Sequence, residues 1–110
     1  MSVKDYFARH IRLRHMRLLV AIDDAGRLTA AAKALHISQP ALSKALTELE
    51  KLIGEALFER TPQGLVATRC GAALVRSARQ MLAEIDRASQ EMQQLESSQS
   101  RTLVVGAMPT

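Results

Sequence analysis

The chain has 110 residues, the size of one small domain with a small core. Hydrophobic residues make up 47% of it but aromatics only 3%, so the core has to be assembled from Leu, Ile, Val, Ala and Met, which favours helices. A formal net charge of +4 admits an acidic partner such as nucleic acid without demanding one, the single Cys70 excludes an internal disulfide, and no apolar run approaches the roughly 18 residues that span a bilayer.

Charges interrupt the apolar residues between Met1 and Ile11, so no signal peptide is read there, and the expectation is a soluble, cytoplasmic protein with no membrane partner. The spacing predicts a first helix over Val3 to Asp24. Ile11, Leu18, Leu19, Ile22 and Ala25 fall at helical intervals, while Arg9, Arg12, Arg14 and Arg17 face outward. Those arginines can meet phosphates, although charges on a solvated helix face are the commoner case. Gly26 supplies the stop.

Thr29 is read as the cap of a second, short helix ending near Leu35. Its alanines, Ala30 to Ala32, would let two helices cross closely, though alanine is also simply a good helix former. His36-Ile37-Ser38 is then a turn, with Ile37 tucked inward and Ser38 capping the next helix. Pro40 falls in that helix's first turn, where a missing N–H costs nothing.

The helix from Gln39 to about Ile53 has two faces. Leu42, Leu46, Leu49 and Ile53 form an apolar stripe, and Pro40, Ser43, Lys44, Thr47 and Lys51 lie opposite, with Gln39 flanking. Two short helices joined by a polar turn make a helix-turn-helix, whose second helix can offer such residues to base edges or phosphates. A solvated face has the same composition.

After Gly54, two extended segments around Thr61-Pro62-Gln63-Gly64 read as a hairpin. Placed directly behind a helix-turn-helix, a hairpin is a wing. Arg60 at its base is a candidate phosphate or minor-groove contact, with an ion pair to Glu55 or near Glu59 as the structural alternative.

Thr68 caps a long last helix from about Arg69 to Ser97. Within it Leu74, Ala78, Met81, Ile85, Ala88, Met92 and Leu95 alternate steps of four and three, a coiled-coil seam. A domain this small has little of its own to cover such a stripe, so a second copy of the chain is the expected partner. Ser97 to Ser100 reads as a linker, and Leu103 to Gly106 as the opening of a buried strand with nothing to pair with.

The run Leu13-Arg14-His15-Met16, Ala31-Ala32-Lys33-Ala34-Leu35, Ile37-Ser38-Gln39-Pro40-Ala41-Leu42-Ser43, Leu49-Glu50, Gly54, Leu57-Phe58-Glu59-Arg60 and Thr68-Arg69-Cys70-Gly71 resembles the N-terminal half of LysR-type transcriptional regulators over roughly residues 13 to 100. The resemblance implies a mainly α chain: a winged helix-turn-helix over 1–68, a linker helix over 69–100 pairing antiparallel with that of a second subunit, and at 101–110 the opening residues of a two-lobed effector domain. It also implies double-stranded promoter DNA as partner, an interrupted inverted repeat as site, tetramers of the full-length protein, and a small-molecule inducer bound only through the effector domain.

Carried over by position, the base-reading places are Gln39, Pro40, Ser43 and Lys44. Gln can pair bidentately with adenine, Lys can donate to guanine, and Pro can touch a thymine methyl group. The backbone places are Thr29, Ser38 and Thr47, with Arg60, Thr61 and Pro62 in the wing. Three positions depart from the family pattern: Lys44 stands where Arg is frequent, Arg27 where a small residue is usual, and Cys70 where a small apolar one is. The first ten residues precede the usual family start.

No cofactor is implied. His10, His15, His36 and Cys70 lack metal spacing, and neither a Gly-rich phosphate loop nor a nucleophile motif is present, so catalysis is not expected. The rival reading is a protein-interaction module that uses the seam and the helical face for a protein partner.

Overall fold

The computed structural model describes residues 2–98. The expected strand at Leu103 to Gly106, the 101–110 segment and the end of the expected linker lie outside these residues.

In chain order the elements are α1 (Val3–His10), α2 (Leu13–Ala25), α3 (Leu28–Leu35), α4 (Gln39–Ile53), β1 (Phe58–Thr61), β2 (Gly64–Ala67) and α5 (Arg69–Ser98). Among the described residues no helix is long and apolar enough to cross a membrane. By its internal contacts the chain divides after Gln80 into two units, α5 beginning in the first and continuing as the second.

The single helix expected over Val3 to Asp24 is in fact two. Ile11 leaves α1 in an extended conformation and Arg12 enters α2 in another. Arg12 stabilises both ends of this break. Its backbone N–H donates to Nδ1 of His15 at 2.9 Å, and its guanidinium donates to the carbonyls of Arg9 and Ile11 at 3.0 and 3.3 Å. The Arg12 N–H and the Arg9 and Ile11 carbonyls at the break are thereby satisfied locally.

Gly26 closes α2 in the left-handed conformation (φ 73°), and its N–H donates to Ile22 O. That turn lets the chain re-enter a helix at Leu28, so the N-cap is Arg27 and not Thr29, which sits inside the first turn of α3. At the other end His36 adopts φ 60°, and Ile37 N–H reaches back to Ala32 O. This six-to-one bond is the Schellman way of ending a helix. Ile37 does not tuck inward; it is 42% exposed.

The helix-turn-helix core is built as its apolar stripe requires. Leu19, Ile22, Leu42, Leu49 and Leu57 are fully buried, with Ala31 and Ala32 where α3 meets its neighbours and Ile53 half-buried at the stripe's end. Antiparallel β1 and β2 pair Phe58 with Ala67 through Thr61 with Gly64, leaving Pro62-Gln63 as the turn.

Thr68 caps α5 as expected: its Oγ1 accepts from Gly71 N–H at 3.0 Å and donates to Ala56 O at 2.7 Å. The first turns of α5 bury Gly71, Val75 and Ala78. Ala78 is therefore covered within its own chain and is not free for a second copy, which corrects its place in the expected seam. Leu74 is half-buried, whereas Met81, Ile85, Ala88, Met92 and Leu95 are exposed. Ser97 and Ser98 are helical, so the helix extends into the expected linker.

Candidate nucleic-acid interface

Ser38 starts α4 as a side-chain cap, its Oγ accepting from Ala41 N–H at 3.2 Å, and Pro40 occupies the first turn. Gln39, Pro40, Lys44 and Thr47 are exposed along α4, and Ser43 is half-buried. The cap accepts with its oxygen, so the Ser38 hydroxyl proton stays available to an acceptor such as a phosphate. Thr47 differs: its hydroxyl donates to Ser43 O at 3.0 Å and must rotate to serve anything else.

A carboxamide and a hydroxyl from different helices meet here. Thr29 Oγ1 donates to Gln39 Oε1 at 3.0 Å, tying the first turn of α3 to the first residue of α4. Both residues line a crevice of about 200 Å³ that also receives Arg27, Arg60 and Thr61. Four of the expected contact residues, Thr29, Gln39, Arg60 and Thr61, thus share one recess, while Pro40, Ser43, Lys44 and Thr47 follow along α4 and Pro62 sits at the wing turn. Thr61 is spent locally: it donates to Gly64 O and accepts from Gln63 N–H, which shapes the turn.

The wing is held at two points. Leu65 N–H donates to Gly26 O at 2.8 Å, fixing β2 to the corner between α2 and α3. A Cβ on Gly64 would strike that same carbonyl, and Gly64 has φ 129°, so only glycine fits. The second point is Glu50, whose Oε2 accepts from Leu57 N–H at 2.7 Å and Phe58 N–H at 3.4 Å. Sequence reasoning assigned Glu50 no role, although an acidic residue beside the buried Leu49 is the available signal. Arg60 has neither Glu55 nor any other carboxylate as an ion-pair partner among the described residues.

Of the remaining candidates, Arg12 is engaged in the α1–α2 break. Cys70 is half-buried, and burial, reinforced by Glu55, pushes its thiol up, as befits a packed thiol. Burial, with Arg14 and Arg12 adding to it, holds His15 below its ordinary 6.5. A neutral imidazole is what the acceptor role of Nδ1 toward Arg12 requires.

The family described as bacterial regulatory helix-turn-helix protein, lysR family, matches residues 13–72. The uncharacterised HTH-type transcriptional regulator YdcI of Escherichia coli is 41% identical over the whole chain, which covers 36% of that protein. GbpR of Rhizobium radiobacter, an HTH-type transcriptional regulator, is 38% identical over 87% of the chain and 32% of its own length. The chain thus spans about a third of these curated relatives. Among solved structures, the BenM DNA-binding domain in complex with benA site 1 DNA superposes with a TM-score of 0.73 at 31% identity, over 79% of this chain and 98% of that one.

Proposed function

The chain belongs to the lysR family of bacterial regulatory helix-turn-helix proteins, and from that membership we propose that it is the DNA-reading part of a transcriptional regulator. In this reading α4 enters the major groove, with Gln39, Pro40, Ser43 and Lys44 toward base edges. Thr29, Ser38, Thr47, Arg60, Thr61 and Pro62 lie toward the sugar-phosphate backbone. Two subunits pair through α5 over Met81, Ile85, Ala88, Met92 and Leu95, with Leu74 at the margin, and so present two reading helices to an inverted repeat.

The observation that carries the reading is the anchoring of the wing beside an exposed α4 N-terminus. Leu65 is bonded to Gly26, and Leu57 and Phe58 are bonded to Glu50. A protein-docking face needs no second element held at a fixed distance from the helix, whereas reading a major groove and an adjacent backbone at once does.

Domain limits at residues 68 and 100, tetramers of the longer protein, an inducer acting through an effector domain and a cytoplasmic location belong to the same proposal. Selection of sites from a random duplex library tests it. The expected product is an interrupted inverted repeat bound more tightly than random duplex, with affinity falling steeply as salt rises. Equal affinity for selected and random duplexes at moderate salt would overturn it.

A further inference from the structure

We infer that Arg27 and Arg60 together form a seat for one DNA phosphodiester in the crevice between the wing and the helix-turn-helix. This rests on the DNA-reading assignment and adds to it a residue, Arg27, outside the contact set above.

The crevice of about 200 Å³ has two arginines, Arg27 and Arg60, and no acidic residue among its lining. Neither arginine has an ion-pair partner among the described residues. The two threonine hydroxyl protons beside them are already engaged: the Thr29 hydroxyl donates to Gln39 and the Thr61 hydroxyl to Gly64 O. Two cationic residues on one recess without a carboxylate give it a positive lining, which an anion neutralises. A phosphodiester oxygen pair matches the planar donor forks of both side chains.

Arg27 is also held in place. It follows Gly26, whose carbonyl is bonded to Leu65 N–H, and its Cγ lies 3.7 Å from where a Cβ on Gly64 would project. Its stem therefore runs along the wing turn. It makes no side-chain cap bond to α3, so a change of its head group deletes no capping hydrogen bond.

The test compares the wild-type protein with Arg27→Gln, Arg27→Lys and Arg60→Ala. Each is titrated against a random-sequence duplex and a duplex that the wild-type protein selects from a random library. Arg27→Gln, which keeps the stem, is expected to lower the slope of log affinity against log salt by about 1 on both duplexes and to weaken both by the same factor. Arg60→Ala reproduces that loss, and Arg27→Lys restores the slope. An unchanged slope in Arg27→Gln beside a lowered one in Arg60→Ala overturns the seat and leaves the DNA-reading assignment standing. A loss confined to the selected duplex makes Arg27 a base reader and also overturns it. Wild-type protein that binds neither duplex in a salt-dependent way overturns the assignment on which the seat rests.

Discussion

The hydroxyl of Thr29 donates to Oε1 of Gln39 across 3.0 Å, so the second residue of α3 restrains the first residue of α4. One lone pair of Oε1 is taken. The other lone pair and both N–H donors remain, which is the set that a bidentate contact to adenine uses. Thr29→Val keeps the shape and deletes the bond. The expected outcome is reduced discrimination at a single base pair per half-site, smaller than the loss of about 1 to 3 kcal/mol expected for Gln39→Ala. Competition between duplexes differing at that pair measures both. An unchanged site preference in Gln39→Ala would remove this residue from the reading set.

Glu50 ties the wing to α4 through one carboxylate oxygen shared by Leu57 and Phe58 N–H groups. Glu50→Ala leaves both donors without their acceptor at a half-buried site. The expected destabilisation is about 1.5 to 3 kcal/mol, the range for a hydrogen bond to a charged group. Urea unfolding reads it directly. Wild-type stability would mean that solvent replaces the carboxylate.

His15 makes the entrance to α2 sensitive to pH. Its pKa in the folded chain lies below the ordinary 6.5, first because of burial and then because of Arg14 and Arg12. The unfolded chain therefore binds a proton more readily than the folded one. The stabilisation is complete above about 6.5 and is lost as pH falls through the lower folded value. Protonated Nδ1 can no longer accept from Arg12 N–H. Thermal unfolding compared between pH 7.5 and pH 5 is expected to show a larger drop for wild type than for His15→Gln. Equal drops would detach the effect from this residue.

Helix α4 and the wing were readable because their local signals agree with the fold. Ser38 caps, Pro40 sits where its missing N–H is harmless, and Pro62-Gln63 turns between two short strands. The break at Ile11 and Arg12 was not, since its cap is a histidine ring accepting from the backbone three residues earlier, outside the usual Ser, Thr, Asp and Asn pattern. Thr29 looked like a cap for the same reason that it was misplaced. Gly26 turns the chain so sharply that α3 begins before Thr29, freeing its hydroxyl for Gln39. Periodicity alone could not separate Ala78 from the rest of the seam. The same four-and-three repeat runs through Ala78, which is buried, and through Met81, Ile85, Ala88, Met92 and Leu95, which are exposed.

Gly71 is a stability position in α5. A Cβ built on it would run into the Leu57 carbonyl, which already accepts from Thr68 N–H. The obstacle is backbone at the entrance to the wing, not a side chain that can swing away. Gly71→Ala is therefore expected to cost about 1 to 3 kcal/mol or more by forced separation of α5 from the Leu57 backbone, despite the better helix propensity of alanine. Denaturant unfolding is the measurement, and a stability equal to or above wild type would contradict the close approach.

The exposed part of α5 tests what covers it. Met81, Ile85, Met92 and Leu95 are 46%, 38%, 66% and 56% exposed, an apolar series at heptad spacing. Arg87 pairs with Glu84 and Glu91 on the same helix, so these charges support the helix by itself and leave the stripe for a partner. If a second copy covers it, Ile85→Asp buries a carboxylate in the seam and the dimer separates, while Gln90→Asp, off the seam, leaves it intact. Sedimentation equilibrium distinguishes the two. Separation should also weaken binding to a two-half-site duplex far more than to a single half-site, because the second contact becomes bimolecular. An Ile85→Asp protein that remains dimeric would place the subunit contact elsewhere and remove α5 as the element that spaces the two reading helices.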